Sequence, residues 1–138
     1  MIGVINLKYF IDKLINKIQE KDSHICVGLD PHIDLFPTFI LENAKKETDS
    51  QDEALGLAIW RFNKQIIDSI KDITPIVKPQ IAFYEKVGIS GLKALNKTIR
   101  YAHENDLLVL LDAKRNDIGS TAEAYAEAYL ADENIDSM

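Results

Sequence analysis

The sequence predicts an α/β domain of parallel strands and covering helices, laid out as the opening part of a TIM (β/α)8 barrel. Three observations carry this. Short apolar strands alternate with amphipathic helices, and the strands finish in charge, at Asp30, at Lys78 and at the pair Asp112 and Lys114. No Gly-x-Gly-x-x-Gly or Walker-type loop follows a strand. Alternation in this order means parallel strands joined by right-handed crossovers. Charges gathered from several strand ends are the barrel arrangement, and the missing glycine loops weaken the nucleotide-binding doubly wound alternative.

Leu7, Phe10, Ile11, Leu14, Ile15 and Ile18 fall at helical spacing behind Asn6, a plausible N-cap, and predict a helix that closes one end of the domain. Its other face mixes lysines with acids, whereas a membrane-surface helix would be more basic. Residues 25–29 form a first strand, ended by Asp30-Pro31 because proline cannot continue a ladder. Cys26 lies inside that apolar run and reads as a buried core thiol. Residues 31–53 hold Pro37 and several acids without a sustained period, which predicts a long rim loop with at most a short helix at 39–46.

Leu55, Ala58, Ile59, Phe62, Ile66 and Ile70 predict a helix over about 52–71. A second strand at 73–77 is broken by Pro75 and closed by Lys78-Pro79. Residues 80–85 read as a rim loop leading to a turn at Gly88, and Leu92, Leu95, Ile99 and Ala102 mark a third helix ending near 103–105. The run 107–111 is apolar on both faces, as a buried parallel strand is. Ala122, Tyr125, Ala126, Tyr129 and Leu130 predict a fourth helix, with both tyrosines packing rather than stacking on a base.

At 138 residues and 46% apolar composition the chain has the size and core content of one domain. The net charge of -6 is spread over mixed signs, so neither nucleic acid nor a membrane is an expected partner. No apolar run approaches the ~20 residues of a membrane span and no signal-peptide layout opens the chain, so the expected location is cytoplasmic. A lone cysteine gives neither an internal disulfide nor a metal cluster, and the scattered His24, His32 and His103 read as solvated or capping residues. Three strands cannot close a barrel, which needs about 200 residues or more. Residues 1–138 therefore read as the N-terminal part of a single, incomplete barrel domain: a helix and three βα units, with an unpaired strand edge that favours association.

Asp112 and Lys114, two apart on an extended backbone, face the same way while Ala113 points opposite. Lys78 on the neighbouring strand meets them at the same height, and Asp117 lies in the turn into the fourth helix. Burial alone would deprotonate a lysine here, whereas flanking carboxylates hold the ammonium form and make Lys114 a fixed proton donor. The same charges could be a rim salt-bridge network tying βα units together. Four of them at strand ends or just past one favour a functional site.

The stretch 112–121, Asp-Ala-Lys-Arg-Asn-Asp-Ile-Gly-Ser-Thr, resembles the signature of the orotidine 5'-phosphate decarboxylase family. Val-Gly-Leu-Asp-Pro at 27–31 and Val-Lys-Pro-Gln-Ile-Ala-Phe-Tyr-Glu at 77–85 resemble the first and second strand ends of its longer bacterial branch. The resemblance implies a carboxy-lyase of UMP biosynthesis that converts orotidine 5'-monophosphate to UMP and carbon dioxide, with no metal or organic cofactor, in a homodimer of barrels. It implies that Asp30 and Lys78 hold the ribose hydroxyls, that Lys78 also pairs with Asp112, and that Asp112 lies against the substrate carboxylate. Lys114 would protonate the C6 carbanion. Asp117, Ile118 and Thr121 would reach the partner's site, with Asp117 and Thr121 toward ribose and Ile118 toward the base. It also places the start of a fourth strand near Met138, and the phosphate and base contacts on later strands, so the 138-residue piece alone is expected to be inactive. A magnesium-dependent sugar-phosphate decarboxylase of the same superfamily and a non-catalytic half-barrel or assembly module are the alternatives.

Overall fold

The structure, a computed structural model, describes residues 9–131 and 135–138. Its centre is a parallel sheet in the order β1 (Cys26–Leu29), β2 (Ile76–Pro79), β3 (Leu108–Val109). Val27 pairs with Val77 and Val77 with Val109, and the two strands after β1 are buried throughout apart from Lys78. A rung beyond β3 joins Gln80 to Asp112. A further extended segment follows at 135–138, where Ser137 bridges Leu110 in parallel and its carbonyl accepts the Leu111 N–H at 2.8 Å. This single bridge lies where a fourth strand is expected, and no strand is formed there among the described residues.

The helices are α1 (Phe10–Lys21), α2 (Thr38–Lys45), α3 (Gln51–Ile70), α4 (Ile81–Glu85), α5 (Gly88–Glu104) and α6 (Gly119–Leu130), with a 3-10 turn at Ile33–Leu35. Ser50 caps α3 by accepting the Glu53 N–H, and the apolar period of that helix buries Ala54, Ala58, Ile59 and Ile67. Together with Leu29, Val77, Leu95, Leu107, Val109 and Leu111 these side chains form one core. The α3 and α5 axes approach closely at Gly56, where a Cβ would stand 2.6 Å from the Ser90 carbonyl oxygen.

Lysines on α1 reach the segments that precede successive strands. Lys17 binds Asp106 at 2.6 Å, Lys21 donates to the Lys71 carbonyl at 2.8 Å, and Lys13 stands 3.6 Å from Asp136. The helix therefore closes the end of the sheet opposite the strand C-termini, as its sequence predicts. Asn6 and Leu7 lie outside the described residues. No α1 side chain is fully buried, and Ile11 and Ile15 are exposed.

Several expectations need correction. Cys26 is exposed, because β1 is an edge strand that pairs only with β2 among the described residues. The second strand starts at Ile76 rather than at 73, and Ile73 faces solvent from the turn after α3. It runs through Lys78 and Pro79 instead of stopping before them, since Pro79 needs only its carbonyl, which accepts the Asp112 N–H at 2.9 Å. Residues 81–85 are the helix α4 rather than a loop; Gln80 caps it through Ala82 N–H, and five residues are too few to show a period. On α6 Tyr125 and Tyr129 are half-buried, but Ala126 and Leu130 point outward. His103 is half-buried rather than free in solvent: its Nε2 lies 2.9 Å from Asp136 Oδ2.

Candidate active site at the strand C-termini

The C-terminal ends of β1 and β2 and the turn after β3 bring Asp30, Lys78 and Asp112 to one rim. Parallel pairing sets Gly28 opposite Lys78, and the Gln80–Asp112 rung sets Asp112 opposite the residue two further on. Both flanks of that rung are hydrogen-bonded: Asp112 N–H donates to Pro79, and Ile81 N–H donates to the Asp112 carbonyl at 3.1 Å. The backbone carrying Asp112 is thereby fixed to the β2–α4 junction.

Lys78 Nζ donates to Asp112 Oδ2 at 2.9 Å, with about a third of each side chain exposed (33% and 37%). The Asp112 bond raises the Lys78 ammonium above its ordinary value against burial, with help from the charge of Asp30. The Lys78 bond lowers the Asp112 carboxyl in return, against burial, and the charge of Lys114 adds to it. Asp30 is held differently, its Oδ1 accepting the backbone N–H of Gln80 at 3.2 Å. A small cleft opens beside the pair, lined by Lys78, Leu110, Leu111, Asp112, Ala113 and Met138.

Ala113 packs against the core while Lys114 is exposed, as alternation requires. Lys114 lies near enough for its charge to act on Asp112, and forms no ion pair among the described residues. Asp117, Ile118 and Thr121 are not gathered into this cluster. Asp117 Oδ1 accepts the Ile118 N–H at 2.8 Å, Ile118 is 86% exposed, and Thr121 stands exposed in the first turn of α6. Gly119, at φ +58, turns the chain into that helix.

Two side-chain sets were not singled out from sequence. Arg115 ion-pairs with Glu85 on α4, donates to the Lys114 carbonyl and stands over the Tyr125 ring, which ties the 112–118 turn to α4 and α6. Tyr84 and Asn63 are buried and hydrogen-bonded to each other, and the Tyr84 hydroxyl reaches the carbonyl of Leu29, the residue before Asp30. Asn63 carried a readable signal, because a polar residue interrupts the apolar stripe of α3 between Ile59 and Ile66. Among the described residues no group of three His, Cys, Asp or Glu side chains is placed to hold a metal ion.

The sequence profile described as orotidine 5'-phosphate decarboxylase / HUMPS family matches residues 23–138. The chain belongs to this family. Orotidine 5'-phosphate decarboxylase from Christiangramia forsetii is 42% identical over 128 residues, covering 91% of this chain and 43% of the relative. The protein of the same name from Flavobacterium johnsoniae is also 42% identical, over 91% of this chain and 42% of its own length. Among solved structures, Leishmania donovani OMP decarboxylase superposes with a TM-score of 0.69 at 30% identity, over 93% of this chain and 42% of that one. The chain thus spans about two fifths of the length of these relatives, and its fold is that of part of the orotidine 5'-phosphate decarboxylase barrel.

Proposed function

We propose that residues 1–138 are the N-terminal part of a single-domain orotidine 5'-phosphate decarboxylase, acting on orotidine 5'-monophosphate to give UMP and carbon dioxide. The observation that carries this is the Lys78–Asp112 ion pair at adjacent strand ends, with Asp30 on one side of it and Lys114 on the other. Asp30 and Lys78 hold the ribose hydroxyls. Asp112 meets the substrate carboxylate, and loss of carbon dioxide relieves the repulsion between the two anions. The electron pair left at C6 then takes a proton from Lys114, whose ammonium attracts the developing anion more strongly than the neutral ring. No metal or organic cofactor enters this scheme, and the residues act inside the cytoplasm.

The exposed Asp117, Ile118 and Thr121 are assigned to a second copy of the chain in a homodimer, Asp117 and Thr121 toward ribose and Ile118 toward the base. All three side chains are exposed and none pairs with Lys78, Asp112 or Lys114 among the described residues, which supports this placement. Binding energy from remote parts of the substrate is needed for the chemistry, so the test supplies the rest of a barrel. Residues 23–138 are grafted in place of the matching segment of the Flavobacterium johnsoniae protein, and turnover is followed by the absorbance of orotidine 5'-monophosphate. Chelator-insensitive turnover that Lys114→Ala abolishes, with the far-UV circular dichroism unchanged, is the expected result. A folded graft that leaves the substrate untouched, or a Lys114→Ala graft of near-normal activity, overturns the reading.

A further inference from the structure

The carboxylate of Asp30 is held where the β1–β2 ladder ends, at Leu29 and Pro79. Pro75, Val77 and Pro79 turn their carbonyls toward β3, where they accept the N–H groups of Leu108, Leu110 and Asp112. Peptide groups alternate sides along a strand, so Lys78 and Gln80 present theirs to β1. In this register the Gln80 N–H is the next donor and the Leu29 carbonyl its acceptor. Leu29 and Pro79 stay paired, so the Gln80 N–H faces this carbonyl, but its hydrogen bond goes to a side chain. The Gln80 N–H goes to Asp30 Oδ1 at 3.2 Å, and the Leu29 carbonyl accepts the Tyr84 hydroxyl at 2.8 Å instead.

Tyr84 is fully buried, and its oxygen accepts a hydrogen bond from Asn63 Nδ2 at 2.9 Å. The same nitrogen lies 3.1 Å from Thr98 Oγ1, whose own hydroxyl donates to the Ala94 carbonyl at 2.8 Å. A phenol has one proton to give, and with Asn63 donating to its oxygen that proton is committed to Leu29. Burial raises the Tyr84 hydroxyl well above its ordinary value, so it stays a donor.

We infer that Tyr84, oriented by Asn63, is a positioning residue for Asp30: by satisfying the Leu29 carbonyl it frees the Gln80 N–H to hold the carboxylate. Without the hydroxyl, Leu29 keeps a buried carbonyl that has lost its partner, and the Gln80 N–H is the donor facing it. Recapture of that N–H completes the ladder and releases Asp30. The inference rests on the reading of Asp30 as a substrate-holding group only for its effect on turnover.

The test follows the Gln80 amide resonance of the 138-residue chain through acid pH. An amide donating to a carboxylate shifts when that carboxylate is protonated, and Asp30→Asn assigns the step, since Lys78 and Asp112 share the rim and His32 lies two residues on. Tyr84→Phe is expected to lose the Asp30-dependent step. Thr98→Val, which removes a buried hydroxyl from the same network without touching Leu29, is expected to keep it. A Tyr84→Phe chain with the full step overturns the inference, as does an unsubstituted chain with none. Should Tyr84→Phe fail to fold, Asn63→Ala leaves the phenol but frees its proton; a smaller step is expected, and an unchanged one overturns the inference. In the grafted barrel, Tyr84→Phe should raise KM more than it lowers kcat. An unmoved KM beside a lost Gln80 step counts against Asp30 as a ribose group and leaves the positioning of its carboxylate standing.

Discussion

The charged side chains that matter work at opposite ends of the sheet. At the C-terminal rim Lys78 and Asp112 shift each other in opposite directions, so both stay charged across the neutral range. At the other end Asp136 is the hub: it accepts the Val109 N–H at 2.8 Å, pairs with His103 and faces Lys13. Burial pushes its carboxyl upward, but the His103 bond and the Val109 N–H prevail and hold it below the ordinary range. A carboxylate depressed in the folded chain stabilises it above the unfolded value, near pH 3.9, and that contribution is lost as pH falls through the folded value. The midpoint of thermal unfolding should therefore drop as pH falls below about 4. Asp136→Asn should lower the midpoint at pH 7 and flatten that acid limb, and a limb of unchanged steepness would refute the assignment.

Among the elements, the long helices were legible and the short ones were not. The stripe Leu55, Ala58, Ile59, Phe62, Ile66 and Ile70 predicted α3 to within a residue or so at each end, because twenty residues of period leave little freedom. The helix α4 left no period to read, and the start of β2 was obscured by Ile73, an apolar residue that the turn leaves in water. At the rim, the ion pair of Lys78 and Asp112 could be anticipated from strand-end charges. The part played by Tyr84 could not, since it depends on which carbonyl each peptide group faces. Close approach also escapes the pattern. A Cβ on Gly91 would collide with the Tyr84 carbonyl, and one on Gly56 would stand 2.6 Å from that of Ser90, backbone in both cases and unable to rotate aside. Each glycine-to-alanine change should cost about 1–3 kcal/mol in urea unfolding, Gly91 more than Gly56. Equal or negligible losses would mean that the helices part freely.

For the whole molecule, the question is which parts of a site one chain supplies to itself. Lys78, Asp112 and Lys114 are presented by their own sheet, whereas Asp117, Ile118 and Thr121 are carried outward on the turn into α6, a helix with no fully buried residue. An isologous dimer would complete each site with the turn of the other copy. Two inactive grafts, Lys114→Ala and Asp117→Asn, then make one intact site when they meet in a mixed dimer: the Lys114 of one subunit faces the Asp117 of the other. Random remixing puts about half of the dimers in this mixed form with one good site each, so roughly a quarter of the normal activity should return. Activity that stays at the level of the separate variants after remixing would place Asp117 in the site of its own chain.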